Sequence, residues 1–367
     1  MAKILVIIVI LVGLIGGGVW VYSNRPKPDL GTKFVQNIRQ EDTQESQKPG
    51  VSLIEPGESA LVDNKYHTYQ AFNNCGPATL SMILNWYGIK VSQSELGDAM
   101  RPYQIASGDN DDKTIFTYEF VDWAQKYGLK AIDRRNGDID LLKRFSANGI
   151  PVVVKTWLHP GEDIGHFRIV RGFDESSGVV IQDDSYEGPN KKFSYFDFLA
   201  MWQPFNYDYI VVFSPDMEEK VMAILADENN EQIAWQNTLT RAQKEAELDP
   251  DNFYPNFNIS VASYHLGNFK ASVEAFEKVE AKLPKRMLWY QIEPILAYQK
   301  LGNYDRVFEI IQRILDNGNR AFSELYMIRG EIYLEKGEMD KAREQFEQAL
   351  LYNKNLKSAQ EALNSLQ

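Results

Sequence analysis

Three glycines near the carboxy terminus, Gly267, Gly302 and Gly337, recur 35 residues apart, each inside a short polar break: Leu266-Gly267-Asn268-Phe269, Leu301-Gly302-Asn303-Tyr304 and Lys336-Gly337-Glu338-Met339. No other feature restricts the fold as much. A period of this length belongs to stacked helical pairs, because one pair cannot bury its own apolar face and must be covered by the next. Each glycine supplies the left-handed turn at which a helix can stop. With a helix expected at 233–247 before the repeats and another at 356–366 after them, residues 216–367 read as an all-α solenoid.

The preceding part has a different pattern. Leu80, Ile83, Leu84 and Tyr87 recur at helical spacing, and Gly88 ends the run. Pro77 is tolerated only in a first turn, so the lone cysteine, Cys75, is expected at or just before the helix start. There the helix dipole favours the thiolate, which is the nucleophile; the competing reading is a buried structural cysteine. Ser92-Gln93-Ser94-Glu95 has the form of a capping box, and further helices are expected before Gly128 and Gly149. Short β-branched or aromatic runs at 151–154, 167–171, 178–181 and 209–213 read as strands. A helical half followed by a mainly antiparallel sheet makes residues 56–215 an α+β domain.

One hairpin carries the groups that can serve the cysteine. A polar turn at Asp174-Glu175-Ser176-Ser177 closes two strands so that His166 faces Asp183. A bulge would bring Asp184 there instead. The remaining histidines are less suitable: His67 and His159 fall in expected loops, and His265 belongs to the helical repeats.

Gln70, Asn74-Cys75-Gly76-Pro77-Ala78, Tyr87-Gly88, the run Gly149-Ile150-Pro151-Val152-Val153, the run from Gly165-His166 to Phe173-Asp174, and Ile181-Gln182-Asp183 together resemble the papain-like cysteine peptidases related to the bacteriocin-leader (double-glycine) processing family. The resemblance covers about residues 56–215. It implies a papain-like α+β fold and hydrolysis of peptide bonds, with Cys75 as nucleophile, His166 as general base and then acid, Asp183 orienting the ring, and Gln70 as oxyanion-hole donor beside the Cys75 backbone N–H. Two positions depart from the family pattern: Gln70 lies five residues before the cysteine where six is usual, and Asp184 stands where a proline commonly follows the aspartate. In the carboxy-terminal part, Gly330, Tyr333, Gly337, Ala342, Phe346 and Ala349 resemble the small and aromatic positions of a tetratricopeptide (TPR) repeat, which implies recruitment of a protein partner or substrate. The alternative function is a non-catalytic, membrane-bound peptide-binding scaffold that works through the TPR array.

Residues 4–22 are 19 in a row without a charge, near the thickness of a bilayer core at about 1.5 Å per residue. They are expected to form a transmembrane anchor (1–23), followed by a proline-bearing linker (24–55) and an extracytoplasmic body, which makes the whole a single-pass membrane peptidase. The net charge of −12 argues against a nucleic-acid partner, and one cysteine permits no intramolecular disulfide. No cofactor and no metal site is expected.

Overall fold

The computed structural model describes residues 51–100 and 115–366. Its first part is built on one antiparallel sheet in the order β2 (Lys130–Arg134), β7 (Tyr209–Phe213), β3 (Val152–Trp157), β4 (Gly165–Asp174), β5 (Val179–Asp184) and β6 (Gly188–Ser194), with β1 (Ser59–Leu61) also paired to β4. Strand β3 is buried along its whole length. Its side chains alternate between two cores, which is why an unbroken apolar run forms a strand here. Val153 joins Phe167 and Ile169 against helices α1 (Cys75–Trp86), α2 (Gln93–Met100) and α3 (Thr117–Lys126). Val152 and Val154 face the other side, against α4 (Ile139–Ala147), α5 (Tyr195–Trp202) and α6 (Glu218–Leu225).

The repeats follow as α7 (Glu231–Leu248), α8 (Tyr254–His265), α9 (Phe269–Glu277), a short α10 (Met287–Tyr290), α11 (Glu293–Lys300), α12 (Tyr304–Asp316), α13 (Ser323–Glu335), α14 (Met339–Tyr352) and α15 (Lys357–Ser365). Gly267, Gly302 and Gly337 join the helices of the three pairs with φ of 76°, 71° and 75°, a conformation that an L side chain would strain. An α+β domain with an antiparallel sheet followed by an all-α array is therefore the architecture. No break in packing marks the boundary expected near residue 215: Trp157, Met201 and Phe205 share one hydrophobic cluster with Phe257, Trp289 and Tyr290 of the array.

The membrane expectation is corrected. Residues 4–22 lie outside the described residues, and among those described no helix is long and apolar enough to cross a bilayer. Among the described helices, α7 at 18 residues carries Arg241, Lys244, Glu245 and Glu247 among its apolar positions. Such a helix buries one stripe against protein and leaves the other in water. No described helix therefore supports the expected transmembrane anchor, membrane partner, single-pass topology or extracytoplasmic body.

Candidate active site

Cys75 is the first residue of α1, and Pro77 occupies the first turn, where its missing donor costs nothing. The chain entering this helix is tied down by Gln93. Its Oε1 accepts from the Ala71 N–H at 2.8 Å and from Asn74 Nδ2 at 3.1 Å, while its Nε2 donates to the Tyr69 carbonyl at 2.6 Å. Gln93 itself opens α2, whose start is the expected capping box: the Ser92 N–H donates to Glu95 Oε2 at 2.9 Å and the Glu95 N–H to Ser92 Oγ at 3.2 Å. Local capping thus sets the residue that positions the cysteine loop.

His166 is the second residue of β4, after Gly165, where the Tyr290 ring of the array lies so close that an added Cβ would come within 2.7 Å of it. The imidazole is 3% exposed and the Asp184 carboxylate fully buried. His166 Nε2 meets Asp184 Oδ1 at 2.9 Å, and Cys75, which is half-buried, is the other group that acts on the ring. An ionised carboxylate only accepts, so Nε2 carries its proton toward Asp184 and Nδ1 is left for the sulfur. Burial alone would favour the neutral ring, but Asp184 and Cys75 outweigh it and hold His166 above its usual pKa. Burial likewise opposes the charge on Asp184, yet His166, Arg168 and the Glu187 N–H hold that carboxyl well below the usual range.

The residue beside His166 is thus Asp184 and not Asp183. The hairpin pairs Asp174 with Val179 and Phe173 with Val180, then shifts by one residue between Val170 and Gly172, so that Arg168 faces Asp184 and Ile169 faces Asp183. The unpaired Arg171 is a bulge, and adjacent residues point to opposite faces of the sheet. Asp183 is turned to Arg171 Nε at 2.7 Å, Asn64 Nδ2 at 2.6 Å and the Asn190 N–H at 3.0 Å. The Cys75–His166–Asp183 triad implied by the sequence is therefore not assembled.

Gln70 stands next to this run: its N–H donates to the Ser185 carbonyl at 2.7 Å, and its Oε1 accepts from Ser185 Oγ at 2.8 Å. The amide nitrogen is the end that Ser185 does not take. His67, read as a loop residue, puts Nε2 3.0 Å from the Asp184 carbonyl. Asn64, His67 and Gln70 thus fasten one extended segment across Asp183, Asp184 and Ser185.

Arg168 and Lys155 were not among the expected site residues. Arg168, fully buried, donates from Nε to Asp184 Oδ2 at 2.7 Å and from its guanidinium to the Trp157 carbonyl at 2.8 Å, also reaching Thr156 and Leu158. The signal was present, since an arginine two residues from His166 on the same strand face needs a carboxylate if that face is buried. Lys155, buried on β3, has its pKa lowered by desolvation, against the pull of Asp208 and Cys75, so its charge is felt at the sulfur. Among the described residues no group of three or more histidine, cysteine or acidic side chains is placed to hold a metal ion.

A family model described as the Peptidase C39 like family matches residues 38–210, and one for the tetratricopeptide repeat matches residues 323–356. Among solved structures, the chain is similar to the peptidase domain of Streptococcus ComA, a bi-functional ABC transporter involved in a quorum sensing pathway, at 18% identity over 41% of this chain and 99% of that one, with a TM-score of 0.34. It is also similar to a double glycine motif protease from an AMS/PCAT transporter in complex with the leader peptide, at 18% identity over 44% of this chain and 99% of that one, TM-score 0.31. For the array, a thermophilic TPR protein of Thermus thermophilus is 19% identical over 36% of this chain and 73% of that one, TM-score 0.29. Likeness at this level carries no statement about activity. No curated protein matches the sequence. Along the chain, a match to the C39-like peptidase family is thus followed by a match to the tetratricopeptide repeat.

Proposed function

We propose that this chain is a peptide-binding C39-like/TPR fusion in which the repeat array grips a protein or peptide and presents an extended stretch of it at the Cys75 end of α1. The observation that supports this reading is the shared core. The Tyr290 ring lies 5.6 Å from Trp157 and 5.8 Å from Phe205, and it abuts Gly165, one residue before His166. A ligand held by an array fixed in this way arrives at Cys75 in one orientation rather than many. The test is selection of a displayed random-peptide library on the full chain carrying Cys75→Ala. Enrichment of peptides that share a pattern supports the reading, and a library with no enriched pattern overturns it.

Cysteine-type peptidase chemistry is the second reading, favoured by the bond of His166 to Asp184 and by the pull of Cys75 that helps to hold His166 above its usual pKa. In it the Cys75 thiolate attacks the peptide carbonyl carbon, the C–N bond breaks, the His166 imidazolium gives its proton to the departing amine, and water then resolves the thioester. Asp184 keeps the ring in one tautomer. Gln70 retains its suggested part as a donor to the oxyanion, through Nε2, with the Cys75 backbone N–H. Alkylation of the native chain by iodoacetamide separates this from binding alone. Cys75 should react in the folded protein and more slowly in His166→Ala; reaction only after denaturation would leave a binding site without chemistry.

A further inference from the structure

Between the sheet and the repeat array lies a cavity of about 450 Å³, within the range of small-ligand sites. It is walled by aromatic rings, Phe116, Phe205, Trp235, Tyr264 and Tyr290 among them. Its charged lining is unbalanced: Asp133, Asp208, Glu231, Glu293 and Glu324 outnumber Arg135 and Lys155.

The two cations of the wall have partners. Arg135 donates to Asp133 Oδ2 at 2.8 Å and to Thr117 Oγ1 at 3.1 Å, and Lys155 donates to the Ile115 carbonyl at 3.2 Å with the Phe167 and Tyr290 rings 5.1 and 5.2 Å away. Two of the acids are left short. Asp208 is 5% exposed, and its Oδ1 makes no hydrogen bond among the described residues; Arg135 Nη1 approaches only to 3.6 Å. Glu293 gives one oxygen to His265 Nε2 at 3.2 Å, while its buried Oε2 has no partner among them either. His265 in turn stacks on Trp235 at 3.9 Å.

Both unsatisfied atoms are acceptors on acids that line the cavity, so an anion would be repelled and a neutral acceptor would leave them unpaired. A cationic donor satisfies both, and aromatic walls hold its apolar part or face its charge. Burial drives the Asp208 carboxyl up to about 7 against the pull of Arg135, as expected where counter-charge is insufficient.

We propose that this cavity binds an organic cation whose ammonium or guanidinium group donates to Asp208 Oδ1 and Glu293 Oε2. The proposal goes beyond the peptide-binding and thiol readings and stands whether or not Cys75 reacts. The group belongs either to a free amine or to a basic side chain of a polypeptide, and the two are told apart by titration of the full chain. Calorimetry, with tryptophan fluorescence as a second readout, is run with agmatine, with a capped Gly-Arg-Gly peptide and with its citrulline counterpart. The cationic probes should bind at least about tenfold more tightly than the citrulline peptide, and Glu293→Gln should remove most of that preference. Agmatine binding as tightly as the arginine peptide identifies a free amine; a peptide about tenfold tighter than agmatine identifies a basic side chain. If Glu293→Gln lowers Tm, Asp208→Asn replaces it as the test variant. The proposal is overturned if neither cation binds at millimolar concentration, if citrulline binds equally well, or if a stably folded variant of either acid keeps the full preference.

Discussion

Two buried charge clusters among the described residues treat a carboxylate in opposite ways. At the site, Asp184 receives four donors: His166 Nε2, Arg168 Nε, and the N–H groups of Tyr186 and Glu187. At the junction with the repeats, Asp208 is also buried but has one oxygen unbonded and its nearest guanidinium 3.6 Å away. Burial penalises both charges; the number of donors decides the sign. Asp184 ends below the usual carboxylate range and Asp208 above it. A carboxylate with a full set of donors anchors structure. One without is a place where a ligand can contribute what the fold does not.

The sharpest break of this comparison is Asp184→Ala, which strands Arg168 in the core without a counter-charge. We expect a loss of about 3–5 kcal/mol in urea denaturation, together with slower alkylation of Cys75. A loss under about 1 kcal/mol would mean that the cluster is not a tight one.

Stability against pH should next show the two acids with opposite slopes. Asp184, depressed when folded, contributes stability that is present above its unfolded pKa of about 3.9 and is lost as pH falls through the folded value. Asp208 keeps its proton in the folded chain up to about 7 while the unfolded chain has released it, so it lowers stability progressively as pH rises from about 4 to about 7. His166, raised when folded, stabilises fully below about 6.5 and less as pH climbs through its folded value, so the Asp208 effect is best read between about pH 4 and 6. Asp208→Asn should flatten that stretch, by on the order of 2 kcal/mol, and an unchanged slope would refute the assignment.

Asp183→Asn sharpens the comparison at the site. Since Asp183 forms an ion pair with Arg171 and accepts from Asn64 rather than from His166, alkylation of Cys75 should change by less than about twofold, against a clear slowing in Asp184→Asn. The reverse order would place the sheet one residue out of register. Smallest of all, Glu293→Gln keeps the shape of a partly exposed side chain and should shift stability by no more than about 0.5 kcal/mol, read as Tm, while it alters cation binding.

Much of the fold was legible in the residues. A period of 35 announced helical pairs, Pro77 and the apolar spacing of Leu80, Ile83 and Leu84 fixed where the cysteine helix starts, and the Ser92–Glu95 box is formed as read. Strand β6, with Pro189, Asn190, Lys191 and Lys192, carries no apolar alternation and was missed, because its pairing with β5 supplies what its composition does not. Gln93 gave no signal as the tie of the cysteine loop, since a glutamine in a capping box reads the same whether its amide meets water or backbone.

The choice between adjacent aspartates marks where local reading ended. Sequence determined that a histidine at a strand start would meet an acidic pair across a hairpin, because turn residues and strand periodicity are local properties. Which carboxylate turned inward depended on one unpaired residue, Arg171, whose bulge reverses the faces of everything beyond it. The junction cavity lay further out of reach. Its acids come from β2, the residue before β7, and helices α7, α11 and α13, distant in the chain and brought together only when the array closes on the sheet. Periodicity reports the face a segment buries; only the packed structure decides which charges end up sharing an interior, and whether they find enough donors there.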